Sequence, residues 1–138
     1  MDVNEVISAL LGMPNVIAHA DSLVAHWKRE VSRLQTEADA LESQLIVSRS
    51  AKEWGANDGE RKVNQAIALQ GNSRYMEIIR FWDKAKHELA LAEVEAVQQR
   101  NKFSAYRTVA ELMAADRLGD RTVVSAANGH RLYSEVGL

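Results

Sequence analysis

The chain has no cysteine, and Pro14 is its single proline in 138 residues. The first absence excludes a disulfide framework, a thiolate zinc site and a thiol nucleophile, and it fits a reducing compartment. The second leaves almost nothing to break a helix. Aromatic residues make up only 6% of the chain. No G-x-x-x-x-G-K-[ST], G-x-G-x-x-G or G-x-S-x-G motif occurs, so neither a phosphate-cradling loop nor a nucleophile elbow is expected. No uninterrupted apolar run approaches the ~18 residues that span a bilayer, and the start, MDVNEVISALLGMPN, opens with an acid instead of a basic leader. The expectation is a soluble, cytoplasmic protein with no membrane partner.

What the chain does contain is 46% hydrophobic and 26% charged residues, with Ala, Leu, Val, Glu, Arg and Gln recurring throughout. That balance favours an all-α fold. The net charge is -2, unevenly divided: residues 1–60 hold 5 basic and 10 acidic side chains, residues 61–138 hold 12 and 9. Oppositely biased helices that pair with each other account for this, and a basic stripe for an acidic partner is the sharper alternative.

Apolar residues recur at spacings of three and four from Ile17 through Ala20, Val24, Trp27, Val31, Leu34, Ala38, Leu41 and Leu45. This heptad seam predicts a helix from about Pro14, which suits a first helical turn, to about Lys52. A second seam runs through Ile78, Trp82, Ala85, Leu89, Ala92, Ala96, Gln99, Phe103, Tyr106, Ala110 and Met113. It predicts a second long helix, with Gly119 just past its end. Large residues on one seam are expected to face alanines on the other.

Two such helices in a short chain fold back most simply as an antiparallel hairpin, a coiled coil. Ile79, Leu91, Val94 and Val97 widen the second stripe beyond what one helix covers, which predicts a homodimer in which two hairpins form a four-helix bundle. The seam residues would build that core.

Between the helices lies EWGANDGERKVNQAIALQGNSRY, residues 53–75, with three of the seven glycines. Gly55 is read as the helix stop. Asn57 and Glu60 have capping-box spacing, and Val63, Ala66, Ile67 and Gln70 give a short helix one apolar side. That side is expected to lie across the end of the hairpin, with Trp54 and Tyr75 at its borders and Ile67→Asp loosening it. Gly71 ends the helix, and Asn72 or Ser73 caps the next.

At the N-terminus, Asp2 and Glu5 form another capping-box pair, and Val3, Val6, Ile7, Leu10 and Leu11 an amphipathic stripe ending at Gly12. After Gly119, Asn128 and Gly129 carry a hairpin-turn signal that competes with an irregular tail. The expected organisation is therefore a short helix at 1–12, the helical hairpin at 13–119 and a tail at 120–138.

Four histidines bring no catalytic or metal constellation. His26 and Glu30 share a helix face, but two ligands make no site, and no catalytic residue, cofactor or metal is expected. Glu88, Glu93, Glu95 and Glu111 alternate with Lys84, Lys86, Arg100 and Arg107, as on the salt-bridged flank of a coiled coil. Candidate contacts for nucleic acid or an acidic partner are Arg61, Lys62, Arg80, Lys84, Arg100, Lys102 and Arg107. Trp82, Phe103 and Tyr106 lie on the seam, which removes the aromatics that single-strand binding uses.

Residues 54–113 carry a G-x-N-x-x-E-R-K-like start at Gly55, Asn57, Glu60, Arg61 and Lys62, a break followed by Ser73 and Tyr75, and a long Ala/Glu/Arg-rich helix reaching Phe103. On these residues the chain resembles small helical-hairpin proteins common in bacteriophage genomes and often encoded near replication and recombination genes. The resemblance implies phage origin, the host cytoplasm, and an accessory, non-enzymatic role through protein partners. Direct nucleic-acid binding by the basic second half is the alternative. Inhibition of a host enzyme or defence complex, with the acidic first helix imitating nucleic acid, is a further one.

Overall fold

The structure, a computed structural model, describes the backbone of residues 2–135 and the side chains of residues 2–119. It is all-helical among these residues: α1 Val3–Val47, α2 Ala51–Trp54, α3 Asp58–Gln70 and α4 Ser73–Glu135.

α1 opens with the expected reciprocal cap. The Glu5 amide donates to Asp2 Oδ1 at 2.8 Å and the Asp2 amide to Glu5 Oε2 at 3.1 Å, satisfying two of the free amides at the helix start. The helix does not stop at Gly12, nor does a second one start at Pro14; one helix runs through both. The seam explains this, because Val3, Val6, Leu10, Met13 and Ile17 continue the three-four spacing across the proline. Val6 is 1% and Met13 7% exposed. Burying two such side chains contributes about 3–6 kcal/mol, more than the ~3 kcal/mol that an interior proline costs. Pro14 itself faces outward, where its ring displaces nothing in the core.

By length and composition α1 is also a helix able to cross a membrane, unlike the expectation from uninterrupted runs. Val6 and Met13 on it are buried, although only 17% of its most apolar window is.

The chain forms two compact units, Met1–Ala18 with Val97–Leu138, and His19–Ala96. In the second, Leu34 and Ala38 of α1 pack with Ile78 and Ala85 of α4, surrounded by Trp27, Val31, Leu41, Tyr75, Ile79 and Trp82. Trp27, Leu34 and Ala85 line one groove of this unit, and Leu41, Gln44, Arg74 and Ile78 line another. In the first unit Val6 and Met13 are buried, and Phe103, Tyr106, Ala110 and Met113 are half-buried.

Each position of both seams from Ile17 to Leu45 and from Ile78 to Met113 is buried or half-buried, including Val24, Leu45 and Leu89. Periodicity alone located this inner face.

The end of the chain differs from expectation. α4 passes Gly119, Asn128 and Gly129 without a turn and remains helical to Glu135. Extending an existing helix adds a hydrogen bond for each residue fixed, whereas a lone two-stranded hairpin is marginal in water. Neither the β-hairpin nor the irregular tail is therefore present over residues 120–135; residues 136–138 of the expected tail lie outside the described residues.

Candidate interaction surfaces

The connector between α1 and α4 is held mainly by polar contacts. α1 ends at Val47, where the Leu45 carbonyl accepts from the Ser48 amide at 3.2 Å and the indole N–H of Trp54 donates to the Ile46 carbonyl at 2.8 Å. Trp54 is 2% exposed, and the Arg49 guanidinium lies 4.8 Å from its ring centre. Ser50 caps α2, accepting from the Glu53 amide. Asn57 caps α3 as expected: its Oδ1 accepts from the Glu60 amide at 2.9 Å, and Glu60 Oε2 accepts from the Ala56 amide at 2.8 Å. Asn72 Oδ1 accepts from the Tyr75 amide at 2.9 Å and starts α4.

Gly55 does its work by closeness. A Cβ there would stand 2.7 Å from Glu60 Cβ and 3.0 Å from the Arg61 amide nitrogen, so only glycine lets α3 begin against the end of α2.

α3 sits the other way round from expectation. Its half-buried residues are Arg61, Gln65, Ala68 and Leu69, whereas Val63 is 58% and Ile67 61% exposed. Hydrogen bonds decide this orientation. Arg61 Nε donates to the Ala51 and Gly55 carbonyls, each at 3.1 Å, and the Asn64 amide donates to the Trp54 carbonyl. Turning Val63 and Ile67 inward would break these three bonds and take these donors from the part-buried Gly55 and Trp54 carbonyls, while the Ala51 carbonyl would keep the Gly55 amide. The sequence signal was available in Arg61 and Asn64, which lie three apart, but the connector carbonyls they meet were not.

The candidate cations are scattered. Arg61 is occupied in the connector and also pairs with Asp58 at 3.3 Å. Lys62 is exposed on α3. The Arg80 Nε reaches back to the Met76 carbonyl of its own helix at 3.4 Å. Lys84 lines a groove of about 270 Å³ with Trp27, Glu30, Arg33, Leu34, Phe81 and Ala85. Phe81, which falls just off the seam and escaped the sequence reading, is 52% exposed there. Arg100 and Arg107 lie seven residues apart on one flank of α4, while Lys102, about 200° round the helix from Arg100, lies on the other. Arg107 is 5.9 Å from the Phe103 ring centre and Lys86 4.0 Å from that of Trp82. These half-buried aromatics take cations of their own helix and present no stacking row.

Glu30 and Glu37 are likewise engaged, by Arg33 at 2.9 and 2.7 Å. The hydrogen bond from Arg33 lowers the Glu30 carboxyl below its ordinary range. His26 packs edge-on against Trp27, with ring centres 4.9 Å apart. No group of three His, Cys, Asp or Glu residues that could hold a metal ion occurs among the described residues.

What remains open is apolar. On α4, Leu91 is 53% and Val94 55% exposed, and Val97 is 56% exposed; Ile79 instead packs on the core. Val94 lies two residues from both Ala92 and Ala96, about 200° round the helix, and so points away from the seam. In the first unit Val3, Val6, Ile7, Ala110, Met113, Ala114 and Arg117 line an apolar groove of about 210 Å³.

No protein-family model, no curated protein and no solved structure matches the chain.

Proposed function

We propose that the chain is a non-enzymatic scaffold: an antiparallel helical hairpin that pairs with a second copy and acts by holding another protein. The observation that carries this reading is the outer face of α4, where Ala90, Leu91 and Val94 are exposed and uncharged although the seam behind them is already packed. In a chain that is 26% charged, an outward apolar stripe costs solubility unless something covers it. The opposed numbering of α1 and α4 across the second unit supports the hairpin. Together with the resemblance of residues 54–113 to phage helical-hairpin proteins, the reading is an accessory protein of a bacteriophage. It would work in the host cytoplasm, in DNA replication or recombination, through a protein partner.

Light scattering at micromolar concentration tests the pairing. The wild-type chain is expected at twice its 15.4 kDa mass, and Leu91→Glu with Val94→Glu at the single mass with unchanged helix content. A wild-type monomer, or a double variant that remains paired, removes the reading.

A further inference from the structure

Phe81, Lys84, Glu88 and Leu91 follow one another on α4 at spacings of three, four and three. At ~100° per residue they fall within about 80° of one another, on the flank of the helix beside the seam. All four belong to the unit His19–Ala96, and Phe81 and Lys84 line the groove of about 270 Å³ that also holds Trp27, Leu34 and Ala85. Phe81 is 52% and Leu91 53% exposed.

The two charges between these apolar ends do not satisfy each other. Lys84 and Glu88 make no ion pair among the described residues, although they stand four apart on one helix. A lysine placed before the glutamate is the weaker order for pairing along a helix. Turned end for end, however, the same four residues complement themselves. We propose that a second copy covers this flank through a two-fold axis at the level of Lys86, its α4 running antiparallel, with Phe81 against Leu91 of the partner subunit and Lys84 against Glu88 of the partner subunit. The inference rests on the pairing proposed above and states which side of Leu91 that pairing uses.

Charge selects this arrangement over its neighbours. A parallel pairing of the same flank would set Lys84 against Lys84 and Glu88 against Glu88. An antiparallel shift of one heptad would set Lys84 against Phe81 in one direction and Glu88 against Leu91 in the other, leaving charge on apolar surface. The reciprocal register closes both apolar and both ionic contacts, as an isologous interface requires. The next positions outward, Glu77 and Glu95, would meet acid to acid, which bounds the contact at these four residues. Each residue finds its complement within the same four, so a second copy completes the face without another protein.

Sedimentation velocity of the full chain over a concentration series is the test. Lys84→Glu and Glu88→Lys each place like charges across the axis twice and should weaken the dimer about tenfold or more. Carrying both substitutions in one chain, or mixing the two single variants in equal amounts, restores opposite charges. Both should return the dissociation constant to within about threefold of wild type. A single variant that pairs as tightly as wild type, a double variant left as weak as the single ones, or rescue confined to the double variant overturns the proposal. Misfolding of a single variant cannot imitate rescue by mixing. A wild-type dimer indifferent to these charges leaves the pairing itself standing, whereas a wild-type monomer removes both.

Discussion

Replacing Trp54 with Phe keeps a large apolar ring in the connector but removes one N–H, the donor that meets the Ile46 carbonyl at 2.8 Å. Trp54 is 2% exposed, so water does not readily take that donor's place. Leaving such a carbonyl unpaired costs about 1–3 kcal/mol, and the smaller ring adds up to about 1 kcal/mol for imperfect filling. Trp82 supplies the control. Its indole nitrogen is buried without a hydrogen-bond partner among the described residues, so Trp82→Phe removes a donor that bonds to nothing. It should cost about 1 kcal/mol or less, the residue of packing and of the Lys86 contact. Urea unfolding followed by far-ultraviolet circular dichroism, at one fixed protein concentration, measures both. The midpoint for Trp54→Phe should fall below that for Trp82→Phe by about 1 M, a difference of ~2 kcal/mol at ordinary slopes. Equal midpoints, or the reverse order, would refute the reasoning that the indole N–H fastens the end of α1.

Gly55→Ala should destabilise by about 1–3 kcal/mol in the same assay, because its Cβ would stand 2.7 Å from Glu60 Cβ. Gly12→Ala, with open space at its Cβ position, should instead stabilise by up to about 1 kcal/mol. Pro14→Ala should raise stability by up to ~3 kcal/mol, and a loss would show that the proline sets a geometry the helix needs. For Glu30 the folded pKa is depressed by Arg33, so its contribution is present above the ordinary glutamate range and lost as pH falls through the folded value; Arg33→Ala should return the carboxyl resonance to ordinary titration. Burial, then Glu42 and Asp39, raise the Tyr75 phenol above 10, so stability should decline as pH rises through that raised value. Glu42→Gln with Asp39→Asn should move the phenol's ultraviolet titration back toward 10.

The inner faces of the long helices were legible because a heptad repeat is a one-dimensional record of burial: every position from Ile17 to Leu45 and from Ile78 to Met113 turned inward. The same record contained the correction at the N-terminus. Val3, Val6, Leu10 and Met13 keep the spacing of Ile17, and that continuity outweighed the stop signals at Gly12 and Pro14. The helix starts at Asp2, Asn57 and Asn72 were also readable, since a cap is formed by neighbours within three residues. α3's orientation was not, because it depends on carbonyls of Ala51, Trp54 and Gly55 whose positions only the folded connector defines. At the C-terminal end, the turn propensity of Asn128 and Gly129 was real but local, and helix propagation from upstream prevailed. Leu91 and Val94 stood out in the sequence as apolar residues beyond the seam, whereas Phe81, beside Trp82, was hidden by its neighbour, and all three are exposed.

A repeating seam has a weakness that its regularity conceals. Because the seam repeats every seven residues, sliding α1 past α4 by seven would keep apolar positions facing one another and change only which large residue meets which small one. The connector opposes that slide. With Trp54 fastened to Ile46, Gly55 against Glu60 and Asn64 on the Trp54 carbonyl, α2 and α3 are held to the last turn of α1, and a slide would strain those contacts. It works as the index pin of a ratchet, choosing one notch among several that the helices alone would nearly accept.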